Sequence, residues 1–517
     1  MATRYYSNIP TTGRDRANLI VPIFLIFAVV AAGLISFVWI DNEMGSMIEG
    51  FYLLPWVCLA GICVLAPSAY LLYQGKFDLF HPLVFAAWSY VFPAYVLGGV
   101  IIAFGWVNPY FLTFIEDPEY NLPLTLVYIA VGFVGLSAGF FLPVGRIFAE
   151  VVEPRLPKWK WEPDQVWLPG ILLLIFGVAV NIVGFIQGLL GFQRNIEVNV
   201  FDGLLFSLLT LLTEGTVLLW LAIFSVRKKS ATFYLVLALL VLFVPLRMAV
   251  LGSRSSLVLS LFPIAMAFVY SGRKLKLRTG LLFAAGGILA VLIGVTYGTT
   301  FRNIKGSEAR ISAGDYFGQV IATVEYLTIE DPLVLAQQTA QSLADRVENL
   351  SSAGVVVANY EKLAPYEASY GLENNIVNDL YTSFIPRFVW NEKPNTSDAR
   401  AYSDLYFNYG ENSFAISPFA DLLRNFGPIG VPIGMLLLGI YLRFIYAGLI
   451  DTPNPAMWKK VAYFSLLTIV SYESFYATIF PSVVRLVFVI GISLAVANLF
   501  ITGRRKLSEG SNPQVRI

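Results

Sequence analysis

LPGILLLIFGVAVNIVGFIQGLL, residues 168–190, runs for 23 residues without a charge. At a rise of 1.5 Å per residue, a helix of that length crosses a hydrocarbon core of roughly 30 Å. Its polar members, Asn181 and Gln187, suit hydrogen bonds to a neighbouring helix. Working outward, comparable apolar runs cover residues 19–40, 51–73, 82–104, 123–147, 204–226, 233–251, 256–270, 281–299, 428–446, 461–481 and 486–501. The expectation is an all-α polytopic membrane protein with about 12 spans. The first run is too long for a signal-peptide core and lacks a small-residue cleavage pattern, so it reads as a retained span.

Composition agrees. The chain has 517 residues, is 57% hydrophobic and 13% charged, and its mean hydropathy is +0.68. Its formal charge of +1 says little about partners, but the placement of the charges says more. Cys58 and Cys63 fall on different faces of one apolar run, and no disulfide is expected. His81 is the only histidine and opens a span, where a capping or interfacial role fits. Clustered-histidine metal sites are thereby excluded, and no metal or cofactor is expected. Proton transfer falls to carboxylates, tyrosine or water.

The connections set the orientation. Arg4, Arg14 and Arg16 precede the first span, and every even-numbered exit is basic, as at Arg146, Arg155, Lys158 and Lys160, or at Arg227, Lys228 and Lys229. The short opposite connections are acidic or nearly neutral. By the positive-inside rule both termini are cytoplasmic, and the connection between spans nine and ten lies outside. The chain therefore divides into spans one to nine (residues 1–300), a large, mainly helical extracytoplasmic loop (301–427), spans ten to twelve (428–503) and a cytoplasmic tail (504–517). In that loop Asp331-Pro332 reads as a helix start.

Five arginines break the charge rule: Arg247, Arg254, Arg302, Arg424 and Arg485 all fall at the outer ends of late spans. Snorkelling to headgroups explains any one of them. Five at one depth around the large loop point to a shared anionic ligand. Within the loop, carboxylates outnumber basic residues, which disfavours a nucleic-acid channel. Its aromatics, Trp390, Tyr402 and Tyr406 among them, offer faces for sugar rings or serve as core and interface anchors. Two intramembrane carboxylates, Glu214 and Glu473, must pair with a cation or stay protonated, and an outer arginine is a fitting partner.

Two segments carry more. FIPRFVWNEKP (384–394) brings Arg387, Glu392 and Lys393 between prolines, and SPFADLLRNFGPIG (417–430) leads into a span. On a short helix, Asp421 and Arg424 share a face three residues apart, and Gly427, Pro428 and Gly430 make a kinkable approach to the membrane. These segments resemble the Wzy-type O-antigen and oligosaccharide repeat-unit polymerases, whose large periplasmic loop in the second half of the chain ends in a serine, an acidic residue and an NFG stretch. The resemblance is close over residues 384–430 and looser in overall topology.

The resemblance implies a membrane glycosyltransferase of the bacterial cytoplasmic membrane that polymerises polyprenyl-diphosphate-linked oligosaccharide repeat units into a surface polysaccharide, with a chain-length regulator protein as a further partner. Arg247, Arg254, Arg302, Arg387, Arg424 and Arg485 would hold the departing diphosphate, for which bidentate guanidinium groups suit. Asp421, Glu411, Asp404 and Glu392 are the candidate bases, and Trp390, Tyr402 and Tyr406 would stack on sugars. The chain lacks the outer-loop histidine expected of the related ligases. The competing reading is a flippase for lipid-linked oligosaccharides, although nine spans before the loop and three after it do not form matched halves.

Overall fold

A computed structural model describes residues 50–105, 110–187, 189, 201–226, 228–273 except 252–255, 276–305, 313–385, 389–390, 392–393, 397–410, 414, 416–452 and 454–510. Side chains at 244–251, 256–259, 313–314 and 504–510 are not described. Every regular element among the described residues is a helix. The first run, 19–40, lies outside them.

The helices of the membrane domain are α1 (Leu54–Tyr73), α2 (Pro82–Ala103), α3 (Pro118–Phe141), α4 (Pro143–Val152), α5 (Trp167–Ile186), α6 (Asp202–Ser225), α7 (Ala231–Leu251), α8 (Ser256–Tyr270) and α9 (Leu277–Lys305). Five cap helices follow: α10 (Ala313–Ile329), α11 (Pro332–Val347), α12 (Leu350–Glu367), α13 (Asn375–Thr382) and α14 (Ala399–Phe407). Last come α15 (Pro418–Leu449), α16 (Met457–Thr468) and α17 (Ile479–Gly510). Eight described helical stretches are long and apolar enough to cross a membrane, and the described apolar parts of α7 and α8 are shorter. The chain is an all-α membrane protein.

The structure departs from the simple run of spans in two places. The fourth run, 123–147, ends as a helix at Phe141, because Pro143 forces Leu142 into extended geometry (φ −61°, ψ 144°). The amphipathic α4 follows, with Val144, Ile147, Phe148 and Val151 exposed. The eleventh run, 461–481, is not one continuous helix. α16 stops at Thr468, residues 469–475 are non-helical, and a short 3-10 turn (Tyr476–Thr478) leads into α17. Ser471 accepts a hydrogen bond from the Glu473 N–H, and Val470, Tyr472 and Phe475 are buried, so protein rather than lipid surrounds this irregular backbone.

Small residues hold the membrane domain together. α3 and α15 approach so closely that a side-chain carbon on Gly135 would lie 2.5 Å from the Pro432 carbonyl, and Gly139 and Gly439 meet Leu436 and Leu136 in the same way. Without water to drive helices together, such contacts let dispersion forces act along the seam. On the neighbouring pair α5 and α6, Asn181 donates to the Gly177 carbonyl (2.7 Å) and reaches Leu209 (3.5 Å), an interhelical role its sequence position suggests. Glu214 is buried against α17, where the Ser493 hydroxyl donates to it.

Two of the cap helices start on an aspartate, one of them at the Asp331-Pro332 signal. The Asp331 side chain accepts the Leu333 N–H (2.8 Å) ahead of Pro332, and Asp398 caps α14 through the Arg400 N–H (2.8 Å). The cap is docked on the spans by backbone as well as side chains. The Asn349 N–H bonds to the Ala94 carbonyl (3.1 Å), and a side chain on Gly98 would press on Glu348.

Candidate functional site

The stretch 417–430 forms the first turns of α15. Ser417 caps it by accepting the Ala420 N–H (3.1 Å), and Pro418 takes the first helical position, where its missing N–H costs nothing. The helix breaks at Gly427 (φ 68°, ψ −166°), a geometry that a side chain tolerates poorly, and resumes after Pro428. This short leading segment lies under the cap, with Asp421 wholly buried and Arg424 nearly so.

Asp421 and Arg424 form the ion pair their spacing suggests, at 2.8 Å. A second carboxylate, Glu367 at the end of α12, reaches the other guanidinium nitrogen at 2.9 Å. Arg424 also donates to the Leu372 carbonyl (2.8 Å) and the Asn375 side-chain oxygen (2.7 Å). Asn425 donates to Asn375 (2.8 Å), whose own amide donates to Ser397 (2.8 Å). The second oxygen of Asp421 takes the Ala477 N–H (3.1 Å), at the approach to α17. The Asp421–Arg424 pair thus ties three parts of the protein together: cap, α15 and the broken span.

Burial pushes the Glu367 carboxyl above the usual carboxylate range, while Arg424 and the Tyr406 hydroxyl, 2.9 Å away, pull it back. Two carboxylates around one guanidinium leave that cation with little capacity for a further anion. Asp421 is enclosed by donors and presents no open oxygen to an incoming hydroxyl. In this conformation the pair positions other groups.

Beside the network, Tyr90, Tyr95, Asn349, Ser352, Tyr402 and Ser417, together with two alanines, face one another across a crevice too tight to hold a water molecule. Its tyrosines come from different places. Tyr90 and Tyr95 belong to a π-helical stretch of α2 (Ala87–Leu97) that contains Pro93, and Tyr402 comes from α14. A π-helix is a rare, wide turn that recurs at functional sites. The fully buried Tyr402 hydroxyl has no hydrogen-bond partner among the described residues. This lining is polar but uncharged, which suits hydroxyl-rich ligands better than ions.

Charge stands close by. Glu473, in the non-helical 469–475 segment, pairs with Arg346 of α11, with one hydrogen bond of 2.7 Å, and both lie within electrostatic reach of Tyr90. The pair is partly exposed, at 46% for the Arg346 side chain and 26% for Glu473. The intramembrane carboxylate therefore does find an arginine, one that the span pattern did not mark. Glu348 lies at the foot of α12, where its carboxylate takes the Ser351 N–H (2.7 Å) and hydroxyl (2.5 Å). Burial pushes this carboxyl up to about 7, against those hydrogen bonds.

The other sequence candidates are dispersed. Arg302 is exposed in the last turn of α9, and Arg485 is exposed on α17, its guanidinium beside Gly203 of α6. Of the six arginines, Arg424 alone joins the buried network among the described residues. Arg254, Arg387 and Glu411 lie outside the described residues, as does the side chain of Arg247. Asp404 and Glu392 are exposed, and Trp390 is half-buried. Tyr402 and Tyr406 are buried against one another, ring centroids 5.0 Å apart, so their faces are taken up by protein rather than open to a sugar. Glu367, Asn375 and Arg346 carry no sequence signal, and Glu367 and Asn375 meet Arg424 only through the fold, whereas Asn425 belongs to the NFG stretch itself. No group of three or more His, Cys, Asp or Glu side chains suited to a metal occurs among the described residues. Comparison with protein-family models, curated proteins and solved structures returns no match to this chain.

Proposed function

We propose that the chain joins polyprenyl-diphosphate-linked oligosaccharide repeat units by glycosyl transfer, on the outer face of a bacterial cytoplasmic membrane. The observation that carries this reading is the placement of SPFADLLRNFGPIG. It is a capped, buried half-helix between the cap and the spans, beside a crevice lined with hydroxyl and amide groups. A lipid-linked sugar needs polar groups at the membrane surface, and this crevice supplies them once the cap moves aside.

In this proposal the Asp421–Arg424–Glu367 network positions the cap, and the working charges are Arg346 and Glu473. A diphosphate competes with Glu473, which now holds both terminal nitrogens of the Arg346 guanidinium, because it makes the same forked contact with more negative charge than one carboxylate carries. Glu473, once released, accepts the proton of the attacking sugar hydroxyl as the bond from the anomeric carbon to the diphosphate oxygen breaks. The diphosphate departs with its electron pair, stabilised by the guanidinium. The crevice is too narrow for a sugar in its present state, so the cap must shift for substrate to enter.

The test is purified protein in vesicles with lipid-linked repeat units as the only substrate. A ladder of lengthened glycans supports the proposal, and Glu473→Gln should abolish it. A second reading draws on the broken helix at 469–475, since transporters build substrate sites from discontinuous helices. Movement of lipid-linked units between leaflets without any ladder would favour that flippase reading.

A further inference from the structure

We propose that α10, the first cap helix, is a membrane-interface helix whose Phe317, Ile321 and Val324 insert among lipid acyl chains. The argument begins with the face it buries. Tyr316, Val320 and Leu327 pack on the cap-side end of α9, where Phe301 and Tyr316 have ring centroids 5.2 Å apart. Tyr316 also meets Phe185, the penultimate residue of α5, at 5.0 Å. Both spans end at this level, so α10 sits where two membrane helices leave the apolar layer. The rings of Phe185, Tyr297, Phe301 and Tyr316 gather there as aromatic side chains do at a membrane interface.

The exposed side then decides the partner. Phe317, Ile321 and Val324 recur at i, i+4 and i+7, and they are 62%, 67% and 51% exposed. That spacing makes one stripe. It borders the protein-facing stripe on one side and gives way to Glu325 on the other, so the helix presents protein, apolar and polar faces in turn. Large apolar side chains left this open in water are costly.

Lipid is the occupant that the surroundings favour. The two spans that α10 touches present apolar outward faces as well: Leu289, Leu292 and Ile293 on α9 and Ile186 at the end of α5 are all exposed in the same way. A span's exposed apolar face is covered by acyl chains, and a helix packed at its end with a matching face extends the same surface. This is the pattern of an interfacial amphipathic helix, lying in the plane of the membrane with its apolar side sunk below the headgroups. The inference holds whatever chemistry the crevice performs.

The test uses nitroxide labels on the full chain in vesicles of phosphatidylethanolamine and phosphatidylglycerol. In a Cys58→Ser, Cys63→Ser background, labels are placed singly at Phe317→Cys, Ile321→Cys and Val324→Cys, with Glu325→Cys as the polar-face control. Oxygen concentrates in the acyl region and a nickel chelate stays in water, so the ratio of their relaxation effects reports depth. The stripe positions should show ratios several-fold above the control. Ready access of the chelate to the stripe would overturn the proposal. So would exclusion of both reagents, which would mean that a second copy or another protein covers the face. If a label at one position prevents reconstitution, the other two positions give the same readout.

Discussion

Replacing Arg424 by methionine probes the joint that holds the cap. The substitution keeps most of the side chain's volume and removes its charge. It leaves Asp421 and Glu367, whose side chains are 0% and 6% exposed, as two facing carboxylates with no cation between them. It also strips the Leu372 carbonyl of its side-chain donor and removes one of two donors to the Asn375 side-chain oxygen, leaving Asn425. Removing one partner of a buried ion pair costs about 3–5 kcal/mol, because the remaining charge stays desolvated. Neutralising the carboxylates as well, in Arg424→Met/Asp421→Asn/Glu367→Gln, removes that penalty and should recover most of the loss, since apolar or neutral replacements of buried ion clusters are often tolerated. Unfolding in mixed micelles, followed by circular dichroism across a denaturant series, measures both differences. An Arg424→Met protein within about 1 kcal/mol of the parent would refute the reasoning, as would a triple variant no more stable than the single one.

Further expectations follow from other joints. Glu348 has a folded-state carboxyl pushed from 4.5 up to about 7, so between those values the folded protein holds a proton that the unfolded chain has lost. Stability should therefore fall as pH rises through that window, by on the order of 3 kcal/mol from this group, and Glu348→Gln should flatten the slope. Gly139→Leu forces α3 away from the Leu436 carbonyl of α15 and should cost about 1–3 kcal/mol, read as a lower unfolding midpoint; an unchanged midpoint would deny the close seam. Gly427→Ala meets no neighbouring atom, so its cost is confined to the backbone at φ 68°, ψ −166°, about 1–3 kcal/mol in the same assay.

Much of this was readable from local sequence. The Asp331-Pro332 helix start, the kink at Gly427 and the Asp421–Arg424 pair each depend on residues a few positions apart, where helix geometry alone sets the relation. Two further side-chain partners of Arg424 lie 57 and 49 positions away, at Glu367 and Asn375, and no local pattern encodes such meetings. Hydropathy likewise registers residues 461–481 as one span, because it counts apolar side chains and cannot detect backbone whose hydrogen bonds are met by Ser471 and neighbouring protein. The pairing of Glu473 with an arginine follows from the cost of a lone buried charge, but which arginine depends on where α11 docks. Tyr402 and Tyr406 read equally well as sugar platforms or core, and packing put them in the core.

Photocrosslinking tests most directly whether lipid-linked glycans meet beneath the cap. A photoreactive phenylalanine analogue is placed at Tyr90 or Ser352, which line the crevice, or at Tyr234, exposed on the distant α7. After illumination with a lipid-linked repeat unit, mass spectrometry should find adducts at Tyr90 and Ser352 and few at Tyr234. Adducts at Tyr234 with none at the crevice positions would contradict the account.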